Sequence, residues 1–280
     1  MKYFPDDHTF AVCAYKESPY LEDCICSLLR QSVRSHIILC TSTPNQHIEH
    51  LAKQYNIMLY VNQESQGIAS DWNFAYHAAS TSLVTLAHQD DIYEPDYAKE
   101  IISQLNCGGM TQIAFTDYYE IQNGKRVDSK QFVNLRIKKI LLAPMRIRML
   151  QSNIWVRRRI LSLGNPIGCP SVTYVKDHLP DMVFDPGFAS NIDWMAWEQL
   201  SKRKGRFLYV PRTLMGHRMY ADSTTVKMIN TDGQRTKEDY EMLKRFWPKP
   251  IASVICKMYA KSQNQRMDPS SKNEKRDGQE

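Results

Sequence analysis

Apolar residues recur along this chain in two alternating rhythms. Short β-rich runs at 9–15, 37–40, 57–61, 82–87 and 113–119 are separated by stretches with apolar positions at helical spacing, at 21–31, 48–55, 68–79 and 97–105. Such a β-α-β-α-β series predicts a parallel sheet joined by right-handed crossovers. The run Leu83, Val84, Thr85, Leu86, Ala87 carries no charge, which suits a central strand covered on both faces. It ends abruptly in His88, Gln89, Asp90 and Asp91, so two carboxylates are expected at the carboxyl edge of the sheet, where open α/β sheets bind ligands. Gly67 permits a tight turn before the third helix, with Ser70 or Asp71 as its N-cap, and Asn123-Gly124 reads as a hairpin turn.

The pattern changes in the second half. Residues 135–163 interleave basic and apolar positions, and Pro144 divides them into two segments. A stretch of this kind is either a helix lying on anionic membrane or a surface helix whose long side chains cover the core. A turn at 184–187 precedes a helix opening at Asn191, a strand at 207–210 closed by Pro211, and a polar loop over 215–225. An exposed helix over 232–246 and a short amphipathic one over 251–259 follow, and the polar tail 262–280 is expected to be disordered. The predicted class is α/β, a mostly parallel twisted sheet flanked by helices, with one domain over 1–225 and a helical extension over 226–261.

Composition narrows the function classes without choosing one. With 42% hydrophobic and 24% charged residues the chain has a globular balance, and no apolar run reaches the ~20 residues needed to span a bilayer. The first residues hold acids and no apolar h-region, so a cleaved secretory signal is not expected and the reading is cytoplasmic, with peripheral contact at the inner face of the membrane as an option. Seven cysteines without CxxC spacing read as reduced thiols. The net charge of +6 is concentrated in 136–159 and the C-terminal third. That distribution by itself leaves nucleic acid, anionic lipid and phosphorylated ligands all open as partners, although nucleic acid is not the expected one.

Adjacent aspartates at a strand end are hard oxygen ligands suited to Mg²⁺ or Mn²⁺ held jointly with substrate phosphates, although an Asx turn explains the same residues. No Gly-x-Gly-x-x-Gly and no Gly-x-x-x-x-Gly-Lys is found, which argues against dinucleotide-binding dehydrogenases and P-loop enzymes.

In order, the chain offers a strand ending in Ala14-Tyr15-Lys16-Glu17, a helix with Gly67 and Asn73, Gln89-Asp90-Asp91, Cys169-Pro170-Ser171, Asp193-Trp194, and His217-Arg218 with Asp222-Ser223-Thr224. Taken together, 9–225 resembles the family 2 glycosyltransferases of the GT-A fold. The resemblance implies a nucleotide-binding half over about 1–118 and an acceptor-binding half over about 119–225. It places the nucleotide sugar, UDP-linked by preference, at Ala14, Tyr15, Glu17, Ser42, Gly67, Asn73, Asp90, His217 and Arg218. Mn²⁺ or Mg²⁺ falls to Asp91, Asp90 and His217, and a glycan or lipid-linked glycan acceptor to Asp117, Cys169, Ser171 and Trp194. Departures are visible: Thr41-Ser42-Thr43 stands where the family has Asp-Asp, and Gln89 replaces the first acid of its DXD element.

Inverting transfer needs a carboxylate to take the acceptor proton, and Asp193 is the expected general base, with a helix-capping role as its rival and Asp117 and Asp185 as alternatives. Trp194 is expected to offer a platform to a sugar ring. Lys16, Arg146 and Arg157 to Arg159 are further phosphate candidates. Two other function classes stay open at this point, a nucleotidyltransferase and a catalytically lapsed scaffold or basic binding module.

Overall fold

The computed structural model describes residues 2–64, 67–219 and 234–267, with side chains as far as Met258. Strand β1 (His8–Ala14) is buried along nearly its whole length, as an uncharged run between two helical layers must be. It pairs in parallel with β2 (His36–Thr41) and β4 (Leu83–His88), and β2 pairs in parallel with β3 (Met58–Val61). The helices α1 (Leu21–Leu29), α2 (Gln46–Gln54) and α3 (Ile68–Ala78) make the crossovers. Asn45 caps α2 by accepting from Ile48 N at 3.0 Å. Helix α3 begins earlier than expected: Gly67 is its N-cap at φ +124°, and Ser70 and Asp71 lie within the first turn. An L side chain at Gly67 would be strained, because that backbone region is open only to glycine at low cost.

The other half of the sheet is mixed. Beyond β4 come β8 (Val172–Val175), antiparallel to both β4 and β6 (Thr111–Gln122), then β9 (Arg206–Met219), parallel to β6, and β5 (Ile92–Tyr93), antiparallel to β9. The Asn123-Gly124 hairpin forms with both residues at positive φ and joins β6 to β7 (Lys125–Val127). One core cluster packs α1, α2 and α4 (Tyr97–Leu105) against one face of the sheet. A second, on the opposite face, holds α3, α6 (Ile154–Ile160) and α7 (Ile192–Ser201), together with Met242 and Leu243 of α8 (Gln234–Leu243) and Ala252 and Cys256 of α9 (Lys249–Met267). Helix α5 (Val133–Leu141) and two 3-10 turns, Ala143–Arg146 with Pro144 in it and Arg148–Ser152, link β7 to α6.

Four expectations are corrected. Pro211 does not close a strand: the register between β6 and β9 passes from Thr116↔Val210 to Asp117↔Thr213, so Pro211 and Arg212 form a bulge where a missing N–H costs no ladder bond. The expected loop from 215 is therefore strand as far as Met219, while 220–225 lies outside the described residues. Helix α8 is not merely exposed, since Glu238, Asp239, Met242 and Leu243 are buried. Helix α9 runs on to Met267, and the rest of the expected tail, 268–280, is again outside the described residues.

Candidate active site

The carboxyl ends of β1, β2 and β4 meet at one edge. Gln89 holds the loop after β1 from both sides, its Oε1 accepting from Tyr15 N at 2.9 Å and its Nε2 donating to Tyr15 O at 3.0 Å. The residue standing for the first acid of the DXD element is thus spent on shaping this loop. Lys16, at φ +55°, donates its N–H to Thr43 Oγ1 at 2.6 Å, and Tyr15 is left 48% exposed beside exposed Glu17. Ala14 is buried at the end of β1. At the end of β2, Ser42 Oγ donates to Asp71 Oδ2 at 2.9 Å, and Asn62 Nδ2 donates to Asp71 Oδ1 at 3.1 Å. A carboxylate is present at the second strand after all, delivered from α3. Sequence reading took Asp71 for a cap, because nothing in the local pattern showed that the first turn of α3 leans over β2.

The paired acids sit between β4 and β5. Ile92 faces Gly216 and Tyr93 faces Met215, so the two-residue antiparallel ladder brings Asp90 and Asp91 alongside His217 and Arg218. Arg218 N donates to Asp91 Oδ1 at 2.9 Å, and Arg218 Nε donates to Asp90 O at 2.9 Å. The same guanidinium lies 4.1 Å over the Tyr20 ring and reaches Asp23 at 3.4 Å. Asp91 is wholly buried, and its Oδ2 has no hydrogen-bond partner among the described residues, with His88 Nδ1 3.9 Å away. Burial, and then the neighbouring Asp90 charge, push its carboxyl well above the usual aspartate range, against the opposing pull of Arg218. Burial lowers both His88 and His217 to about 4, so both imidazoles are neutral at pH 7 and fit to act as ligands or acceptors. Among the described residues no group of three or more His, Cys, Asp or Glu converges to hold a metal unaided. An orphaned, buried carboxylate oxygen beside Asp90 and a neutral imidazole nevertheless fits a hard cation whose shell is completed by phosphate oxygens.

Asp193 lies in the first turn of α7, where its Oδ1 accepts from Trp194 N at 2.7 Å and its Oδ2 accepts from Asn165 Nδ2 at 2.7 Å. Burial raises its carboxyl above the ordinary value, partly offset by these two hydrogen bonds and by the Lys138 and Arg235 charges. Lys138 also bears on His217 and donates to Tyr118 OH at 2.6 Å, while the Tyr118 ring meets His217 edge-on at 6.0 Å. Lys138 and Tyr118 therefore link His217 with Asp193. Neither was singled out from the sequence, where Lys138 is one of many cations in a basic stretch. The segment leading into α7 is held from α8: Glu238 accepts from Ala189 N, Ser190 N and Asn191 N at 2.9 Å each and from Ser190 Oγ at 2.8 Å.

Several expected contact residues are occupied elsewhere. Trp194 is buried in the core with Nε1 donating to Leu161 O at 3.0 Å, so it presents no platform to a sugar. Cys169 and Ser171 are buried behind the sheet edge, Ser171 Oγ bonding Gly168 O at 2.7 Å. Asp117 is paired with Lys139 at 3.2 Å and accepts from Tyr209 OH at 2.6 Å. Asn73 spends its amide on Val183 N, Phe184 N and Phe184 O. Asp185 accepts from Gly187 N in its own turn. Of the phosphate candidates, Arg157 is buried against Arg203 O and Arg158 is paired with Glu198.

Comparison with known proteins bears on the family and the fold. The model of glycosyl transferase family 2 matches residues 9–164. No protein with a curated description matches the chain. In fold the chain is similar to S. aureus TarS in complex with UDP-GlcNAc, at 13% identity and TM-score 0.57 over 91% of this chain and 70% of that one. It is also similar to the mannosyltransferase PcManGT from Pyrobaculum calidifontis with GDP-Man and Mn²⁺, at 12% identity and TM-score 0.56 over 92% and 71%. A third likeness, at 15% identity and TM-score 0.55 over 85% and 78%, is to glucosyl-3-phosphoglycerate synthase from Mycobacterium tuberculosis with Mn²⁺, UDP and phosphoglyceric acid.

Proposed function

The chain belongs to glycosyl transferase family 2 and is a glycosyltransferase, and we propose that it transfers a sugar, with inversion, from a UDP-sugar to a hydroxyl of a glycan or lipid-linked glycan on the cytoplasmic side of the membrane. The observation that carries the reading is the β5–β9 ladder, which sets a buried, unpartnered Asp91 oxygen beside Asp90, His217 and Arg218 at the ligand-binding edge. Nucleotide complexes of TarS, PcManGT and the phosphoglycerate synthase, two of them with Mn²⁺, support it.

In this reading Tyr15 and Asp71 receive the nucleoside. Asp71 is an acceptor suited to the N3–H of uracil, a donor that cytosine lacks. Asp91, Asp90 and His217 would hold Mn²⁺ or Mg²⁺, which when bound neutralises charge on the diphosphate as a Lewis acid. Arg218 adds a fixed positive charge for the same oxygens. The acceptor oxygen attacks the anomeric carbon from the face opposite the diphosphate, Asp193 takes its proton, and the bond from carbon to phosphate oxygen breaks to release the nucleoside diphosphate. Asn165 and the N–H of Trp194 hold the carboxylate in place for that transfer.

Calorimetry with UDP, CDP and GDP, each with and without Mn²⁺, tests the donor assignment. UDP should bind most tightly and only with metal. Asp91→Ala should abolish the metal dependence, and Asp71→Ala should erase the preference over CDP. Metal-dependent UDP binding by Asp91→Ala at wild-type strength would reject the assignment.

A further inference from the structure

Three exposed apolar side chains on α5, Val133, Ile137 and Ile140, are spaced by four and three residues and so share one helix face, while Leu135 turns to the core. Helix α9 repeats the arrangement with Ile251, Val254 and Met258 outward and Ala252 and Cys256 inward. Between them in the chain, Met149 of the second 3-10 turn is 86% exposed and Trp155 of α6 is 66% exposed. The surface is continuous from α6 to the start of α9. Arg159 lies 5.2 Å from the Trp155 ring and 4.9 Å from the Trp247 ring, and Trp247 Nε1 donates to Ser162 O at 2.7 Å. Residues 129–176 contain no acid, and of their ten lysines and arginines Lys130, Arg136, Arg146, Arg148 and Arg159 are exposed, whereas Arg157 is buried and Lys139 and Arg158 are paired with Asp117 and Glu198. Lys257 on α9 is exposed as well.

We propose that this face docks on a membrane surface containing anionic lipid, with Met149 and Trp155 entering the headgroup region. The docking goes beyond the transferase reading and does not depend on which sugar moves. Exposed apolar side chains interleaved with cations match a layer that offers negative charge outside and hydrocarbon beneath. Tryptophan with an apolar body and a polar N–H is suited to that boundary. A second copy of the chain is a poor occupant, since an isologous contact would set this positive face against itself. Helix α5 also ties the face to the chemistry, for its Lys138 reaches Tyr118 beside His217. A lipid-borne acceptor would thus meet the site on the side that touches the bilayer.

Sedimentation of the full chain with vesicles of phosphatidylcholine, alone or mixed with phosphatidylglycerol, tests the proposal. Binding should be roughly tenfold or more stronger to the mixed vesicles and should weaken as salt rises. Met149→Ser combined with Trp155→Ser should lose most of it while UDP affinity stays unchanged, and Arg136→Glu with Lys257→Glu should weaken it without altering the circular dichroism spectrum. Trp155 emission should shift to the blue on mixed vesicles only. Equal binding to both vesicle types, or none, would overturn the proposal. So would concentration-dependent self-association that the Met149 and Trp155 changes abolish, which would assign the face to a second copy.

Discussion

At the scale of single residues, Asp193 combines two properties that a helix cap does not need. Its carboxyl is raised by burial, and it is oriented by Asn165 from a different segment. A raised acid binds its proton more tightly in the folded state, so it stabilises the fold below the ordinary aspartate value and loses that contribution as pH rises through its folded pKa. Asp193→Asn removes this ionisation and keeps an oxygen for the Trp194 N–H. Thermal melts at neutral pH should therefore show an unchanged or higher Tm, whereas transfer at saturating donor should fall by roughly 10²–10⁴-fold. The acid limb of wild-type kcat should lie above the ordinary aspartate value of about 3.9. Asn165→Ala should move it further upward, because the lost bond favours the ionised form. A near wild-type rate for Asp193→Asn would return the residue to capping.

Among the elements, those with strong local signals were legible in the sequence. The uncharged runs of β1 and β4 and the Asn123-Gly124 turn each encode their own geometry. What escaped was decided by partners distant in the chain. Strand β8 is only four residues long and β5 two, and each exists because the sheet supplies it with a neighbour. The continuation of β9 past Pro211 depends on a bulge opposite Asp117, which no local pattern announces. The role of Asp71 and the burial of Trp194 have the same origin, since the angle of a helix on the sheet decides which side chains face the cleft. Helix α8 was misjudged as exposed because its buried residues include Glu238 and Asp239, charges whose partners lie in 189–191. That contact gives α8 a task. Bonds to a charged group are worth about 1.5–3 kcal/mol each, not additively, and Glu238→Ala should lower stability by roughly 2–4 kcal/mol in urea unfolding. Below the transition it should also reduce kcat more than UDP affinity, because the loosened segment carries Asp193 and not the nucleotide loops. Equal losses in both would mean that α8 serves the fold alone.

On the scale of the whole molecule, the C-terminal helices are not an appendage. Met242, Leu243, Ala252 and Cys256 share one core cluster with Trp194 and Trp197, so the extension expected over 226–261 completes the layer that positions α7. None of the seven cysteines is paired, and no described helix is long and apolar enough to cross a membrane. A chain ending at residue 204 keeps every parallel strand of the first half and both aspartates. It should nonetheless show no cooperative unfolding and bind no UDP, because β9 supplies the long pairing with β6 and the whole of the His217-Arg218 side of the site. Retention of metal-dependent UDP binding by that fragment would contradict this. The contact between Asp91 and Arg218 joins positions 127 residues apart. In the proposed reading the acidic half of the site emerges during translation long before its basic half, and the nascent chain would offer the donor nothing to grip. Nucleotide sugar is thus useless as a template for early folding, but once β9 is laid down it binds the finished protein alone and shifts the balance away from unfolding by mass action. In that reading the completed molecule would unfold less as the supply of its own donor rises.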